Sequence, residues 1–166
     1  IVGAAAAYEL SRYNCRVLVL EAKNDVANVT TKANSAILHA GYDPTPGTLM
    51  AETNVRGVAL AKELCEKLDV EREEIGSLVL AFGEEDERHL EKLYQQGLAN
   101  GVPGIELLTA DAVHAFVPTV SAKVTAALYA PTAAIVSPWE YALALAAPAV
   151  VNGCWLRLSA SVPGID

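Results

Sequence analysis

Glu21 is the residue of this chain whose position best suits ligand chemistry, because it ends a short apolar run that contains β-branched residues. The run covers residues 16–20, and the segment before it, residues 3–13, favours a helix that begins at Gly3. Helix, tight turn, buried strand and terminal acid follow one another in the second half of a βαβ dinucleotide-binding unit. Roughly 20 residues separate the last glycine of such a unit from the acid that accepts the ribose hydroxyls, and Gly3 and Glu21 have nearly this spacing. The sequence therefore predicts that Glu21 binds a ribose, although an acid at the end of a strand is common.

The rest of the chain alternates helix and strand patterns, and these elements must position Glu21. Helical periodicity, caps and stop residues predict helices over residues 3–14, 48–68, 84–100, 109–116 and 138–152. Apolar runs predict strands over residues 16–21, 75–82, 105–108, 124–129, 134–136 and 155–161. We expect the first and last strands to form a parallel layer, with the first buried on both faces. The strands at 75–82 and 124–129 should form an antiparallel block, and residues 22–35 are polar and predict a loop.

Composition argues against several classes of function. The 166 residues carry a formal net charge of −8, which argues against a nucleic-acid-binding surface. Cys15, Cys65 and Cys154 are widely spaced, without a CxxC pair or a histidine at ligand spacing, so we expect reduced thiols, a cytoplasmic protein and no metal site. No apolar run is long enough to span a bilayer as an ordinary helix. His89 lies in an acidic surface helix and His114 lies near a helix end, and we interpret both as structural.

Residues 3–13, the strand that ends at Glu21, and residues 30–42 and 129–138 resemble the FAD-dependent oxidoreductases of the D-amino-acid oxidase superfamily. The branch to which they are most similar contains glycerol-3-phosphate dehydrogenases and L-2-hydroxyglutarate oxidases. Its members carry a loop rich in threonine and serine that runs into a His-(Gly/Ala)-Gly motif, and residues 39–41 here read His-Ala-Gly. The resemblance implies an α/β fold: a partial FAD/NAD(P)-binding, Rossmann-like domain that lacks its first strand, with an inserted α+β portion of a substrate domain.

The resemblance also implies an activity. It predicts the N-terminal part of an enzyme that oxidises a small hydroxy compound, such as glycerol 3-phosphate or an L-2-hydroxy acid, by hydride transfer to FAD. Two alternatives stay open: an amine or amino-acid oxidase of the same superfamily, and a degenerate, non-catalytic remnant that serves as a binding or interaction module. Some glycerol-phosphate enzymes carry an arginine soon after the motif, where this chain has Tyr42 and Asp43, so the identity of the small-molecule substrate also stays open.

Position by position, the resemblance implies roles for individual residues. It assigns FAD contacts to Gly3, Glu21, Thr30, Thr31, Asn34, Ser35 and Val162. Gly3 would let the helix and strand pack closely, Glu21 would hold the adenosine ribose, and the backbone of Val162 would pair with the adenine. His39 would lie near the flavin ring as the base for the alcohol proton, because a histidine titrates near neutral pH. The alternative interpretation of His39 is a structural histidine in a turn. The side chain of Lys32 could face either a phosphate or solvent.

The order of the predicted elements places a strand-and-helix block between the two ends of the chain, which predicts a second domain. With the resemblance, this gives an FAD-binding domain over residues 1–69 and 135–166 and a substrate-domain portion over residues 70–134. The dinucleotide should lie across the carboxyl ends of the strands. We therefore expect the FAD contacts to line one continuous groove, with His39 at its far end. Pro148 falls inside the predicted helix at 138–152, where a proline bends or destabilises a helix.

The first strand and the Gly-x-Gly turn of a dinucleotide-binding unit do not precede Gly3, so we interpret the sequence as a piece of a larger protein. We expect the missing strand to lie between the strands at 16–21 and 155–161. Without that strand and its turn, the 166 residues alone should bind FAD weakly. The exposed strand edges should favour self-association.

Overall fold

The computed structural model describes residues 1–164 as two compact units. Unit 1 consists of residues 1–36, 64–72 and 136–164. Unit 2 consists of residues 37–63 and 73–135. The division into an FAD-binding domain and a substrate domain is a statement about function, so it stays a prediction. Across the described residues, no helix combines the length and the apolar character needed to cross a membrane.

Helices and strands alternate along the chain much as the sequence patterns predict. The five α-helices are α1 Val2–Leu10, α2 Leu49–Lys67, α3 Glu84–Ala99, α4 Ala110–Phe116 and α5 Pro138–Val151. The strands are β1 Leu18–Leu20, β2 Ile37–Leu38, β3 Arg72–Glu73, β4 Ser77–Ala81, β5 Glu106–Thr109, β6 Ala126–Ala130, β7 Ala134–Val136 and β8 Trp155–Arg157. A short 3-10 helix, Val29–Thr31, lies in the loop after β1.

The sheet of unit 1 is the parallel pair β1 and β8, with Leu18 opposite Trp155. This confirms the parallel layer. The expectation of a missing strand between the two is wrong, because they are bonded directly to each other. The Trp155 N–H donates to the Val17 carbonyl and the Glu21 N–H donates to the Arg157 carbonyl, both at 2.9 Å. Each strand thereby satisfies the facing backbone groups of the other, which leaves no place for a third strand between them.

The expectation that the first strand is buried on both faces is also wrong. Leu18 is 52% exposed and Trp155 is 70% exposed. Successive strand residues point to opposite faces, and here only the face that carries Val19 is covered by helices. Val19 packs against a small cluster formed by Ala7, Ala149 and Cys154, whose first two members lie on α1 and α5. The opposite face of the pair is open in the described residues.

Local backbone chemistry sets the ends of two elements in unit 1. Strand β8 ends at Arg157 rather than at 161, because Ser159 has a φ of 55° and donates its N–H to the Lys23 carbonyl at 2.7 Å. Helix α1 ends at Leu10 rather than at 14. The Ser11 hydroxyl donates to the Tyr8 carbonyl at 2.7 Å, a local bond that competes with continuation of a helix.

Unit 2 contains an antiparallel sheet of order β4-β6-β5, and the chain also forms a smaller sheet of order β2-β7-β3. The pairing of β4 with β6 confirms the predicted antiparallel block. The two faces of the β4-β6-β5 sheet are covered by different helices. Leu128 and Val79 pack in a cluster with Leu90 of α3, whereas Leu78 packs in a second cluster with Val113 of α4.

Candidate cofactor and catalytic site

The carboxyl end of β1 opens onto a cavity of about 140 Å³ in unit 1. Glu21 follows β1 directly and lines the cavity beside Leu20. The first turn of α1 contributes Gly3, the 3-10 helix contributes Thr31, and α5 contributes Ala146. The carboxyl ends of parallel strands and the N-termini of helices are the places where α/β sheets bind dinucleotides and anions. The cavity therefore has the position expected of a dinucleotide site.

Glu21 is half-buried, and one of its carboxylate oxygens is engaged by the protein. Oε1 accepts a hydrogen bond from the Lys23 backbone N–H at 2.7 Å. Its own backbone is fixed by the Arg157 carbonyl and the Ala160 N–H, at 2.9 Å each. Within residues 1–164, Oε2 has no hydrogen-bond partner. A carboxylate offers about four acceptor positions, so Oε2 can accept the hydroxyls of a ribose.

Thr31 joins the loop to the beginning of α1. Its Oγ1 accepts a hydrogen bond from the Ile1 nitrogen at 2.9 Å. Ile1 also lines the cavity, so this bond connects the loop to the start of α1 beside Glu21.

Gly3 lines the cavity, but the close packing of helix on strand that its position predicts is not seen in the described residues. A Cβ built at Gly3 meets no heavy atom within 4 Å. The missing side chain instead leaves open space at the first turn of α1, where helix N–H groups lack intrahelical partners. This arrangement fits a ligand that approaches the backbone closely.

Asn34 organises the loop after β1. Its Nδ2 donates to the Thr30 carbonyl at 3.1 Å and to the Thr31 carbonyl at 2.7 Å, while its Oδ1 accepts from the Ala36 N–H at 2.8 Å. Both amide hydrogens are thus used within the loop. The FAD contact predicted for Asn34 stays a prediction, and the observed role of its side chain is to shape the loop.

The same loop stores backbone strain. Ala27, Val29 and Ala36 have φ values of 63°, 60° and 62°, in the left-handed region that is least favourable for a β-branched residue. Such residues cost about 1–3 kcal/mol each and are concentrated at functional sites. Ala27 lines the cavity itself, so the strained loop forms part of the candidate site.

Four of the predicted FAD contacts do not line the cavity: Thr30, Asn34, Ser35 and Val162. The Ser35 hydroxyl is exposed and has no hydrogen-bond partner among residues 1–164, and Val162 is 54% exposed. The structure therefore brings together three of the seven predicted contacts, namely Gly3, Glu21 and Thr31. One continuous groove that reaches His39 stays a prediction.

His39 belongs to unit 2, where it follows β2 and is exposed. Its imidazole makes no hydrogen bond with the described residues. Its backbone carbonyl, however, accepts a hydrogen bond from Asn54 Nδ2 of α2 at 2.8 Å. The position of the imidazole is therefore determined through the backbone.

The residues after His39 are held by two amide side chains at the end of α3. Asn100 Nδ2 donates to the Gly41 carbonyl at 2.9 Å and to the Pro44 carbonyl at 2.8 Å. Gln96 Nε2 donates to the carbonyls of the two residues between them, at 3.2 Å each. Neither amide was predicted from the sequence, because the partners lie 53–59 residues apart. A usable signal was the spacing of Gln96 and Asn100, which places two amides on one helix face.

Two glycines allow this close contact. Gly41 has a φ of 109°, and a Cβ built on it would lie 2.6 Å from Val55 Cγ2 of α2. A Cβ built on Gly97 of α3 would collide with Ile105 and lie 3.2 Å from Tyr42 Cβ. The loop after His39 therefore rests directly on both helices, and Gly41 satisfies a steric and a conformational requirement at once.

Tyr42 is buried beside Ser77. Burial raises the pKa of Tyr42, the nearby Ser77 hydroxyl lowers it, and Asp43 raises it further. Ser77 Oγ is nevertheless buried without a hydrogen-bond partner among the described residues, as is Thr132 Oγ1. The Ser77 hydroxyl is thus close enough to influence Tyr42 but lacks the geometry of a hydrogen bond. Tyr42 stays protonated at neutral pH.

Comparison with known proteins gives relatives over the whole chain. A glycerol 3-phosphate dehydrogenase of Caloramator mitchellensis is 48% identical over 166 residues, which is 100% of this chain and 35% of that protein. The mitochondrial L-2-hydroxyglutarate dehydrogenase of Dictyostelium discoideum is 36% identical over 110 residues, 65% of this chain and 25% of the relative. The chain thus spans about a third or less of these proteins.

A solved structure is similar to the fold as a whole. The dithionite-reduced L-α-glycerophosphate oxidase from Mycoplasma pneumoniae with FAD bound is 30% identical, with a TM-score of 0.89 over 98% of this chain and 43% of that one. The mixed α/β units and this likeness define the class as an FAD-binding α/β protein. The family model of FAD dependent oxidoreductases (DAO) matches residues 1–166. The chain belongs to this family, whose cofactor is FAD, and the predicted superfamily is confirmed.

Proposed function

We propose that this chain supplies part of the FAD site of an oxidoreductase that oxidises glycerol 3-phosphate. The observation that carries the proposal is the meeting of Gly3, Glu21 and Thr31 in one cavity at the carboxyl end of β1. An enzyme is also favoured over a non-catalytic remnant by the 48% identity to a glycerol 3-phosphate dehydrogenase over all 166 residues. Oxidation of an L-2-hydroxy acid is the second candidate, supported by 36% identity over 110 residues.

The cavity fits the adenosine part of FAD chemically. Glu21 Oε2 lacks a partner among the described residues and would accept the ribose hydroxyls, which are neutral donors that a carboxylate binds well. The space beside Gly3 gives the pyrophosphate access to the start of α1. Thr30, Asn34, Ser35 and Val162 remain proposed contacts that would require the loop and the C-terminal segment to meet the cofactor from outside this cavity.

Catalysis requires a base as well as the cofactor. FAD, when bound, accepts the hydride that leaves the carbon bearing the hydroxyl. We assign to His39 the removal of the hydroxyl proton, so that the C–O bond becomes a carbonyl as the hydride departs. The imidazole is exposed and carries no hydrogen bond to the described residues, which leaves a ring nitrogen able to accept that proton.

The test is anaerobic reduction of the flavin in the full-length protein. Glycerol 3-phosphate should bleach the visible flavin absorbance completely. L-2-hydroxyglutarate should bleach it at least about tenfold more slowly, which corresponds to a free-energy difference of about 1.4 kcal/mol between the two substrates. Faster bleaching by L-2-hydroxyglutarate would select the second candidate. No bleaching by either compound would contradict the proposed function.

We also propose a cytoplasmic location and self-association of the isolated chain. The three cysteines are free, as expected in a reducing compartment. Leu18 and Trp155, on the short β1–β8 pair, are 52% and 70% exposed, and exposed apolar strands tend to pair with other chains. Size-exclusion chromatography of the 166-residue chain should give a species larger than the monomer, and a monomeric peak at high concentration would contradict this.

A further inference from the structure

We propose that Asn54 is a positioning residue for His39, assisted by Gln96 and Asn100. The three amides would hold residues 39–44, which we call the His39 loop, in the geometry that proton transfer requires. The inference rests on the proposed function, because it assumes that His39 takes the substrate proton.

The contact of Asn54 is made to His39 itself. Asn54 Nδ2 lies 2.8 Å from the His39 carbonyl oxygen, within the ordinary range of an N–H···O bond. The imidazole has no hydrogen bond of its own to the described residues. A shift of the backbone at this residue would therefore move the ring without resistance from a side-chain partner.

The rest of the His39 loop is held in the same way. Side-chain amides donate to the carbonyls of His39, Gly41, Tyr42, Asp43 and Pro44, which are five of the six carbonyls in the loop. All of these donors lie on α2 or at the end of α3. The loop is thus fixed by two helices rather than by bonds within itself.

Such fixation matters because proton transfer depends on position. A misplacement of about 1 Å, caused by a change away from the reacting atoms, can lower a rate about 100-fold. Removal of the Asn54 amide also leaves the His39 carbonyl without its donor. We therefore expect a defect in the chemical step rather than in FAD binding.

The experiment measures single-turnover flavin reduction by saturating glycerol 3-phosphate in the FAD-loaded, full-length protein. Asn54→Ala should lower the limiting rate about 10- to 100-fold, with FAD content and the visible spectrum unchanged. Asn54→Asp keeps the shape but removes the donor, so the same loss is expected. The matched control is Thr53→Ala on the same helix, since the Thr53 hydroxyl donates to the Leu49 carbonyl of its own helix. The control should remain within about twofold of the wild type.

A second pair of variants tests α3. Gln96→Ala should lower the limiting rate, whereas Gln95→Ala should not, because Gln95 Nε2 bonds only to Glu91 on the surface of the helix, at 2.9 Å. The two glutamines are neighbours with the same side chain. Their comparison separates contact with the His39 loop from a general effect on α3.

A double-mutant cycle identifies a role that acts through His39. In a His39→Ala background, Asn54→Ala should cost less than about a further twofold, because the group that it positions is absent. Full additivity, an Asn54→Ala rate equal to that of the control, or loss of FAD from both Asn54 variants would each overturn the inference. If His39→Ala itself leaves the rate unchanged, the assignment of His39 in the proposed function fails, and the inference fails with it.

Discussion

Glu21→Gln should weaken the binding of FAD to the full-length protein without disturbing the loop around it. Glutamine keeps an oxygen that can accept the Lys23 N–H, which Glu21 Oε1 accepts at 2.7 Å. It replaces the second carboxylate oxygen by a neutral amide group. A hydrogen bond to a charged group contributes about 1.5–3 kcal/mol, so its loss corresponds to a rise in Kd of roughly 10- to 150-fold.

The assay is a titration of the apoprotein with FAD, followed by quenching of the flavin fluorescence. The matched control is Glu9→Gln on α1, since the Glu9 carboxylate forms an exposed ion pair with Arg12 at 2.9 Å and such pairs contribute little. The control should bind FAD like the wild type. Equal Kd values for Glu21→Gln and Glu9→Gln would refute the assignment of Glu21 to the ribose.

Four further predictions concern stability. Gly41→Ala should lower the free energy of unfolding by at least about 2 kcal/mol, because of its positive φ and the close Val55 methyl. Gly57→Ala, in α2 with no heavy atom within 4 Å of the new Cβ, should be neutral or stabilising by up to about 1 kcal/mol in urea denaturation. Leu145→Ala should lower the free energy of unfolding by about 2–5 kcal/mol, because Leu145 is 1% exposed. A thermal melting temperature equal to that of the wild type would contradict the burial of Leu145 in the core. Burial, and secondarily Cys65, raise the pKa of Tyr141 to about 12, whereas an unfolded tyrosine titrates near about 10. As the pH rises between these values, the unfolded chain loses the proton first, so stability falls; Tyr141→Phe should therefore move alkaline unfolding to higher pH, and an unchanged midpoint would count against the shift.

Sequence patterns predict the helices and long strands well, because these follow local periodicity. The stretch at 84–100 has an acidic start, regular apolar spacing and a following glycine, and it forms α3 over Glu84–Ala99. Strand β3, Arg72–Glu73, has two charged residues and no apolar pattern, so it was not predicted. The surroundings of β1 were predicted wrongly, since an apolar run does not reveal whether one face or both are covered.

The candidate site was predictable only where one short segment carries it. Glu21 is identified by its place after a strand, and Gly3 by its distance from Glu21. The contacts of Asn54 and Asn100 depend on how α2 and α3 pack on the His39 loop, and that packing is decided by tertiary contacts such as the one between Gly97 and Tyr42. No local pattern encodes such contacts.

The most direct test of the central claim is a crystal structure of the full-length protein with FAD bound. The account predicts that the adenosine ribose lies within hydrogen-bond distance of Glu21, with the pyrophosphate at the start of α1 beside Gly3. A ribose bound away from Glu21, with the cavity at the end of β1 filled by protein side chains, would contradict it.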